Sequence, residues 1–146
     1  MIKYFYLLIL FQCITLNAQK QVKWDISFDK SENLVEFKAT IIEGWHLYAV
    51  YLPNPKQGPL PTLFTFNESK KYRLVDSIVQ QTPKIEYDKN FGVDLAFYEN
   101  KSNFSQKIEP IKKKLTISGN ISYMTCNESM CIPYDLTFEI KVNPQD

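Results

Sequence analysis

"LTISGNISYMTCNESMCIPYDLTFEIKV", residues 115–142, contains two runs in which every second residue is apolar, with a pair of cysteines between them. Leu115, Ile117, Gly119, Ile121 and Tyr123 alternate with Thr116, Ser118, Asn120 and Ser122; Leu136, Phe138, Ile140 and Val142 alternate with Asp135, Thr137, Glu139 and Lys141. Successive side chains of a strand point to opposite faces, so a period of two predicts two strands, each with one buried and one wetted face. The same alternation appears over residues 33–42, where Val35, Phe37, Ala39 and Ile41 interleave with Glu36, Lys38 and Thr40. Shorter candidates lie at 22–28, 45–51, 63–66, 72–79, 95–98 and 104–108, and no window sustains a helical period. "LPNPKQGPLP", residues 52–61, carries four of the eight prolines and is expected to be an irregular crossing, because proline cannot donate to a strand ladder. Short strands at regular spacing with no helix between them predict an all-β chain, an immunoglobulin-like antiparallel β-sandwich, with a barrel as the alternative.

With 146 residues, 45% of them hydrophobic, the chain can build one domain with a substantial core. Seventeen basic and sixteen acidic residues leave a net charge of +1, which excludes the broad electropositive surface that nucleic acid demands. The lysine runs at Lys70–Lys71 and Lys112–Lys114 are read as solvated surface.

The first eighteen residues, "MIKYFYLLILFQCITLNA", have a secretory pattern: Lys3 as the charged flank, an apolar run from Tyr4 to Ile14, and small or polar residues ending at Ala18. The expectation is a signal peptide over 1–18, a single domain over 19–146, and export to the periplasm or an equivalent compartment. The run is shorter than the ~20 residues of a membrane-spanning helix, so no stable membrane insertion is expected. Of three cysteines, Cys13 falls in the leader, and Cys126 and Cys131 remain for an oxidising compartment.

A bond between Cys126 and Cys131 would close a small ring, which chain entropy credits with about 2 kcal/mol, against about 4 for a long loop between sheets. The pair lies between two strand patterns, on a connection where the backbone is expected to be exposed and functional residues gather. No Lys, Arg or His lies between the cysteines and Glu128 does, so no local cation favours a thiolate. A pair cycling between dithiol and disulfide and an inert loop disulfide both remain open on these residues alone. Two thiols and the lone His46 fall short of a four-ligand zinc set, and no metal or other cofactor is expected. His46, between large apolar residues, is read as a partly buried surface histidine.

"YMTCNESMCIP" before "YDLTFEI" resembles the active-site hairpin of the N-terminal periplasmic domain of the thiol:disulfide interchange protein DsbD. "IEGWHLYAVYLP", residues 42–53, is similar to that family's "dGyylY" strand, and "YDKNFG", residues 87–92, to its cap-loop segment. Pro133 matches a proline after the second cysteine. The resemblance implies an immunoglobulin-like fold and a relay that takes electrons from a thioredoxin-like donor and passes them to exported proteins, such as disulfide isomerases and cytochrome-maturation thioredoxins. It implies that Cys131 forms mixed disulfides with partners and Cys126 is its intramolecular mate. It also implies that Phe91 is a cap over the sulfurs, with Asp88 the nearby acid and Tyr48 lining the site. Partners are expected to be thioredoxin-fold proteins and the domain a monomer. Two features depart from the family pattern: four residues instead of five separate the cysteines, and Asp88-Lys89 stands where the family has two acids. The expectation is a stand-alone chain whose electron donor is a separate protein. The competing class is a non-catalytic immunoglobulin-like binding or structural module in which the disulfide stiffens a hairpin.

Overall fold

In the computed structural model, residues 20–143 are described and form ten strands with no helix among them; the leader expected over 1–18, Cys13 included, lies outside them. The strands are β1 (Val22–Asp29), β2 (Leu34–Ile41), β3 (His46–Tyr48), β4 (Leu63–Phe66), β5 (Tyr72–Gln80), β6 (Lys84–Asp88), β7 (Val93–Tyr98), β8 (Lys101–Pro110), β9 (Leu115–Cys126) and β10 (Cys131–Val142). They make two antiparallel sheets, β1-β2-β8-β5 and β10-β9-β3-β7-β6, with β4 also paired to β9. This is the expected immunoglobulin-like sandwich.

The period-two runs meet across the gap between the sheets. Val35, Phe37, Ala39 and Ile41 of β2 and Leu115, Ile117, Ile121 and Tyr123 of β9 are all buried in one cluster. Phe37, with no exposure, lies 4.6 Å from Phe64 and 5.3 Å from Phe138, and Trp24 of the opposite sheet lies 5.5 Å from Tyr123. Removing such a ring typically costs about 3–5 kcal/mol, so this cluster fixes how the sheets face one another.

β9 is the spine of the site. Along one edge it pairs with all of β10, and along the other first with β4, Leu63 to Phe66 opposite Ser122 to Gly119, and then with β3, His46 opposite Cys126. The proline-rich segment therefore interrupts what would otherwise be a single neighbouring strand. Its ends are clamped: Thr62 Oγ1 donates to the Tyr48 carbonyl at 2.6 Å, and the Gln80 side chain accepts from the Val50 N–H at 2.8 Å. Gly119 is where β4 and β10 crowd β9, since a Cβ there would lie 2.0 Å from the Thr65 carbonyl oxygen and 2.9 Å from the Phe138 ring.

Three expectations change. The strand read over 45–51 contracts to His46–Tyr48, because the chain leaves the ladder to start the proline-rich crossing. β6 was not expected: it is an edge strand whose side chains are mostly exposed on both faces, so it carries no apolar alternation. β9 and β10 run on to the cysteines themselves, so the pair closes a ladder where an exposed connection was expected.

Candidate functional site

The last rung of the β9–β10 hairpin is Cys126 opposite Cys131. The turn beyond it is set by Asn127, whose side-chain oxygen accepts from the N–H groups of Ser129 and Met130, both at 2.8 Å. This is the local turn that asparagine favours. The Asn127 N–H donates to the Met130 carbonyl at 2.9 Å, so the next rung inward is a non-hydrogen-bonded one, in which opposed side chains approach most closely. There the cysteines are joined as a disulfide with Cα atoms 4.0 Å apart. Their environments differ: Cys126 is 4% exposed, whereas Cys131 is exposed beside Met130 at 54%.

Alternation explains that difference. Odd-numbered residues of β9, through Thr125, face the main core, so Met124 and Cys126 face the outer side of the six-stranded sheet. There they meet a second, smaller cluster: Tyr48, Leu95, Phe97 and Cys126 are buried, with Leu52, Phe91, Val93 and Met124 partly buried against them. Two loops cover it. The proline-rich crossing contributes Leu52, and the β6–β7 turn contributes Phe91.

The β6–β7 turn is organised by Asp88. Its carboxylate accepts from the N–H of Asn90 at 2.7 Å and of Phe91 at 3.0 Å, and its carbonyl accepts from the Gly92 N–H at 2.7 Å. Gly92 has φ +71°, a left-handed conformation that glycine adopts without strain. The Gln57 side chain donates to the Phe91 carbonyl at 3.0 Å, so the two covering loops are tied together. Asp88 thus holds Phe91 in place, and its charge acts on Tyr48. The Tyr48 phenol is pushed up to about 12, first by burial and then by the Asp88 carboxylate.

All five residues expected at the site, Cys126, Cys131, Phe91, Asp88 and Tyr48, line one open concavity of about 430 Å³. The arrangement alters one detail: with Phe91 in place Cys131 is still exposed, so the cluster that Phe91 covers contains Cys126 and not both sulfurs. The sequence reading missed His46, Asn90 and Met130 on the rim, and Leu95 and Phe97 in the floor. A signal for the floor existed in "LAFY", 95–98, all buried, since a run apolar on both sides marks a strand covered on both faces.

His46 stands directly opposite Cys126 in the β3–β9 pairing. Its ring lies 4.3 Å from that of Phe97, and its Nε2 is 3.1 Å from Glu99 Oε1. The pair has one accessible side, through Cys131, and one sheltered side, and a sulfur of a second protein could approach only the first without displacing the covering loops.

Two solved structures share the fold. The reduced N-terminal domain of DsbD from Neisseria meningitidis has a TM-score of 0.63 at 13% identity, over 84% of this chain and 86% of that one. The same organism's DsbD N-terminal domain, in its complex with the PilB N-terminal domain, gives 0.62 at 15% identity, over 91% of this chain and 95% of that one. No curated protein matches the chain. The family model described as "Thiol:disulfide interchange protein DsbD, N-terminal" matches residues 15–142, and the chain belongs to that family.

Proposed function

We propose that this domain exchanges thiols and disulfides with protein partners, relaying two electrons from a thioredoxin-like donor to disulfide-bearing proteins in the periplasm. The observation that carries the proposal is the division within one cross-strand pair: an exposed Cys131 joined to a Cys126 that is 4% exposed. Membership of the DsbD N-terminal family supports it, as does the similar Neisseria domain having been solved with a protein partner, the PilB N-terminal domain.

In the accepting half-reaction a donor thiolate attacks the Cys131 sulfur, the Cys126–Cys131 bond breaks, and the electron pair stays on Cys126, which takes up a proton. A second donor thiol then attacks the donor's own sulfur in the mixed disulfide and releases Cys131. In the donating half-reaction Cys131 thiolate attacks a substrate disulfide, and Cys126 attacks Cys131 to free the substrate as a dithiol. Phe91 acts as a cap that a docking partner displaces, Asp88 as the residue that holds the cap, and Tyr48 as the wall beside Cys126. A domain of residues 19–146, released from its leader near Ala18 and working as a monomer, completes the proposal.

The test is Cys126→Ser in a periplasmic host, with free thiols blocked at lysis. The variant is expected to accumulate covalent complexes through Cys131 with thioredoxin-fold proteins, and Cys131→Ser is not. Equal trapping by both variants, or none by either, would remove the assignment of Cys131 as the attacking sulfur.

A further inference from the structure

His46 is the only histidine in the chain, and nothing above gives it a role. Strand pairing sets His46 opposite Cys126 across β3 and β9, and Cys126 opposite Cys131 across β9 and β10. Directly opposed residues share a face, with Cβ atoms about 4.5–5.5 Å apart. Imidazole and both cysteines therefore stand in one row across three strands, and all three line the same concavity. The ring is fixed on two sides, by Phe97 at 4.3 Å and by Glu99 Oε1 at 3.1 Å from Nε2. A carboxylate there accepts from Nε2–H, which leaves the lone pair on Nδ1. The side chain is 34% exposed, so an imidazolium formed there keeps contact with water.

The charged and titratable groups around it come from two strands and two turns. Glu99 follows β7, and Lys84 of β6 lies 3.6 Å from the other Glu99 oxygen. Asp88, Glu128 and the Tyr48 phenol belong to the rim and wall of the concavity. Among the residues lining the concavity, His46 is the one set directly opposite Cys126 on the side away from Cys131.

The geometry points to His46 as the base that takes the proton of the Cys126 thiol when Cys126 resolves a mixed disulfide, an inference that rests on the exchange reaction proposed above. With Cys131 joined to a partner sulfur, the Cys126 S–H proton passes to Nδ1. The Cys126 sulfur then bonds to the Cys131 sulfur, and the Cys131–partner bond breaks. The electron pair leaves on the partner thiolate, which takes the proton from the imidazolium. The partner disulfide is the only oxidant, and the imidazole returns unchanged.

The test is stopped-flow reaction of the reduced domain with a chromogenic bis-nitrobenzoate disulfide. The first coloured thiolate reports attack by Cys131, and the second reports resolution by Cys126. His46→Gln is expected to slow the second release about tenfold at neutral pH, a modest loss for a general base because a thiol ionises readily, and to leave the first within about twofold. The wild-type second phase is expected to depend on pH differently from that of the variant, which climbs steadily with hydroxide. Glu99→Gln, which leaves the ring in place, is expected to slow only the second phase, and it decides the matter if His46→Gln does not fold. Equal second-phase rates and pH profiles, or both phases slowed alike, would overturn the role of His46. A wild type that releases only one equivalent would remove the exchange reaction itself, and His46 with it.

Discussion

Removing the bond between Cys126 and Cys131 should cost the fold little, and the size of that cost measures how easily the pair is reduced. The cysteines are five positions apart in sequence, so the bond closes a ring of about six residues in the unfolded chain and removes about 2 kcal/mol of its conformational freedom. The folded chain holds the two positions together without help, since β9 and β10 are paired in continuous register from Cys126–Cys131 to Leu115–Val142 and Asn127 closes the turn beyond. Linkage then works in both directions: the fold favours the bond by the same amount that the bond favours the fold. About 2 kcal/mol corresponds to about 45 mV for a two-electron couple. Folding should therefore lower the reduction potential of the pair by only about 45 mV relative to the unfolded peptide, whereas a bond across a long inter-sheet loop would shift it by about 85 mV on the same scale.

The measurement is urea unfolding of the oxidised protein against Cys126→Ala/Cys131→Ala, together with equilibration of the wild type in glutathione and thioredoxin buffers. The variant is expected to lose about 2 kcal/mol, or about 8 °C in Tm for a domain of this size, and the wild-type pair to be reduced under native conditions. A loss of about 4 kcal/mol or more, with a pair that resists reduction as structural disulfides below about −300 mV do, would refute the ring-size argument and make the bond a structural staple.

The remaining predictions concern the cover, the phenols and the spine. In a Cys131→Ser background, Phe91→Ala is expected to speed alkylation of Cys126 by iodoacetamide severalfold and to cost about 1–2 kcal/mol, less than a fully buried ring because Phe91 is only partly buried; an unchanged rate would remove the cap. Asp88→Ala should have the same effect on Cys126, while Asp88→Asn, which keeps an acceptor oxygen for Asn90 and Phe91, should not; a fast-reacting Asp88→Asn would show that the charge, not the turn, matters. Tyr48 and Tyr98 are each pushed up to about 12 by burial, from 10.0 in the unfolded chain, so their stabilising effect is complete below pH 10 and is lost as pH rises from 10 through about 12; phenolate absorbance showing every tyrosine ionised by pH 11 would contradict this. Gly119→Ala should break the β4–β9 contact, because the added Cβ meets backbone at Thr65; unfolding midpoints equal to wild type would refute the crowding argument.

The sandwich was legible wherever a strand buries one face. β2, β9 and β10 announced themselves because their apolar residues repeat every two positions. β6 did not, since an edge strand with both faces in water has no burial to record. The end of β9 was obscured for a different reason: Met124 and Cys126 are apolar residues on what the pattern had made the polar side, and only the cluster with Tyr48, Leu95 and Phe97 explains them. Family resemblance named the five residues that meet at the concavity and gave Cys131 and Cys126 their separate parts, but not which side of the pair Phe91 covers. That Phe91 covers the Cys126 side and leaves Cys131 exposed depends on which face each residue takes, which a one-residue change of strand boundary would reverse. The place of His46 depends on cross-strand register, which no local pattern specifies.

The second cluster also bears on the proposed displacement of Phe91, which would change the site without loosening the fold. On β3, β7 and β9 adjacent residues alternate between the two layers: Leu47, Ala96, Tyr98 and Tyr123 belong to the main core, and Tyr48, Leu95, Phe97 and Cys126 to the outer cluster. The sheet itself is the partition. Displacing Phe91 opens only the outer cluster, held by the bonds of Asp88 and Gln57 to one turn, whereas Phe37 and its neighbours continue to hold the two sheets together. The energy of opening is thus set by a few contacts and hydrogen bonds, each worth about 1 kcal/mol, and not by the stability of the whole domain. A partner that offers apolar surface to Met130 and the cluster beneath Phe91 can supply that much in docking. Selectivity would then reside in the surface that displaces the cover, consistent with a cysteine pair whose intervening residues include no cation to make it reactive in isolation.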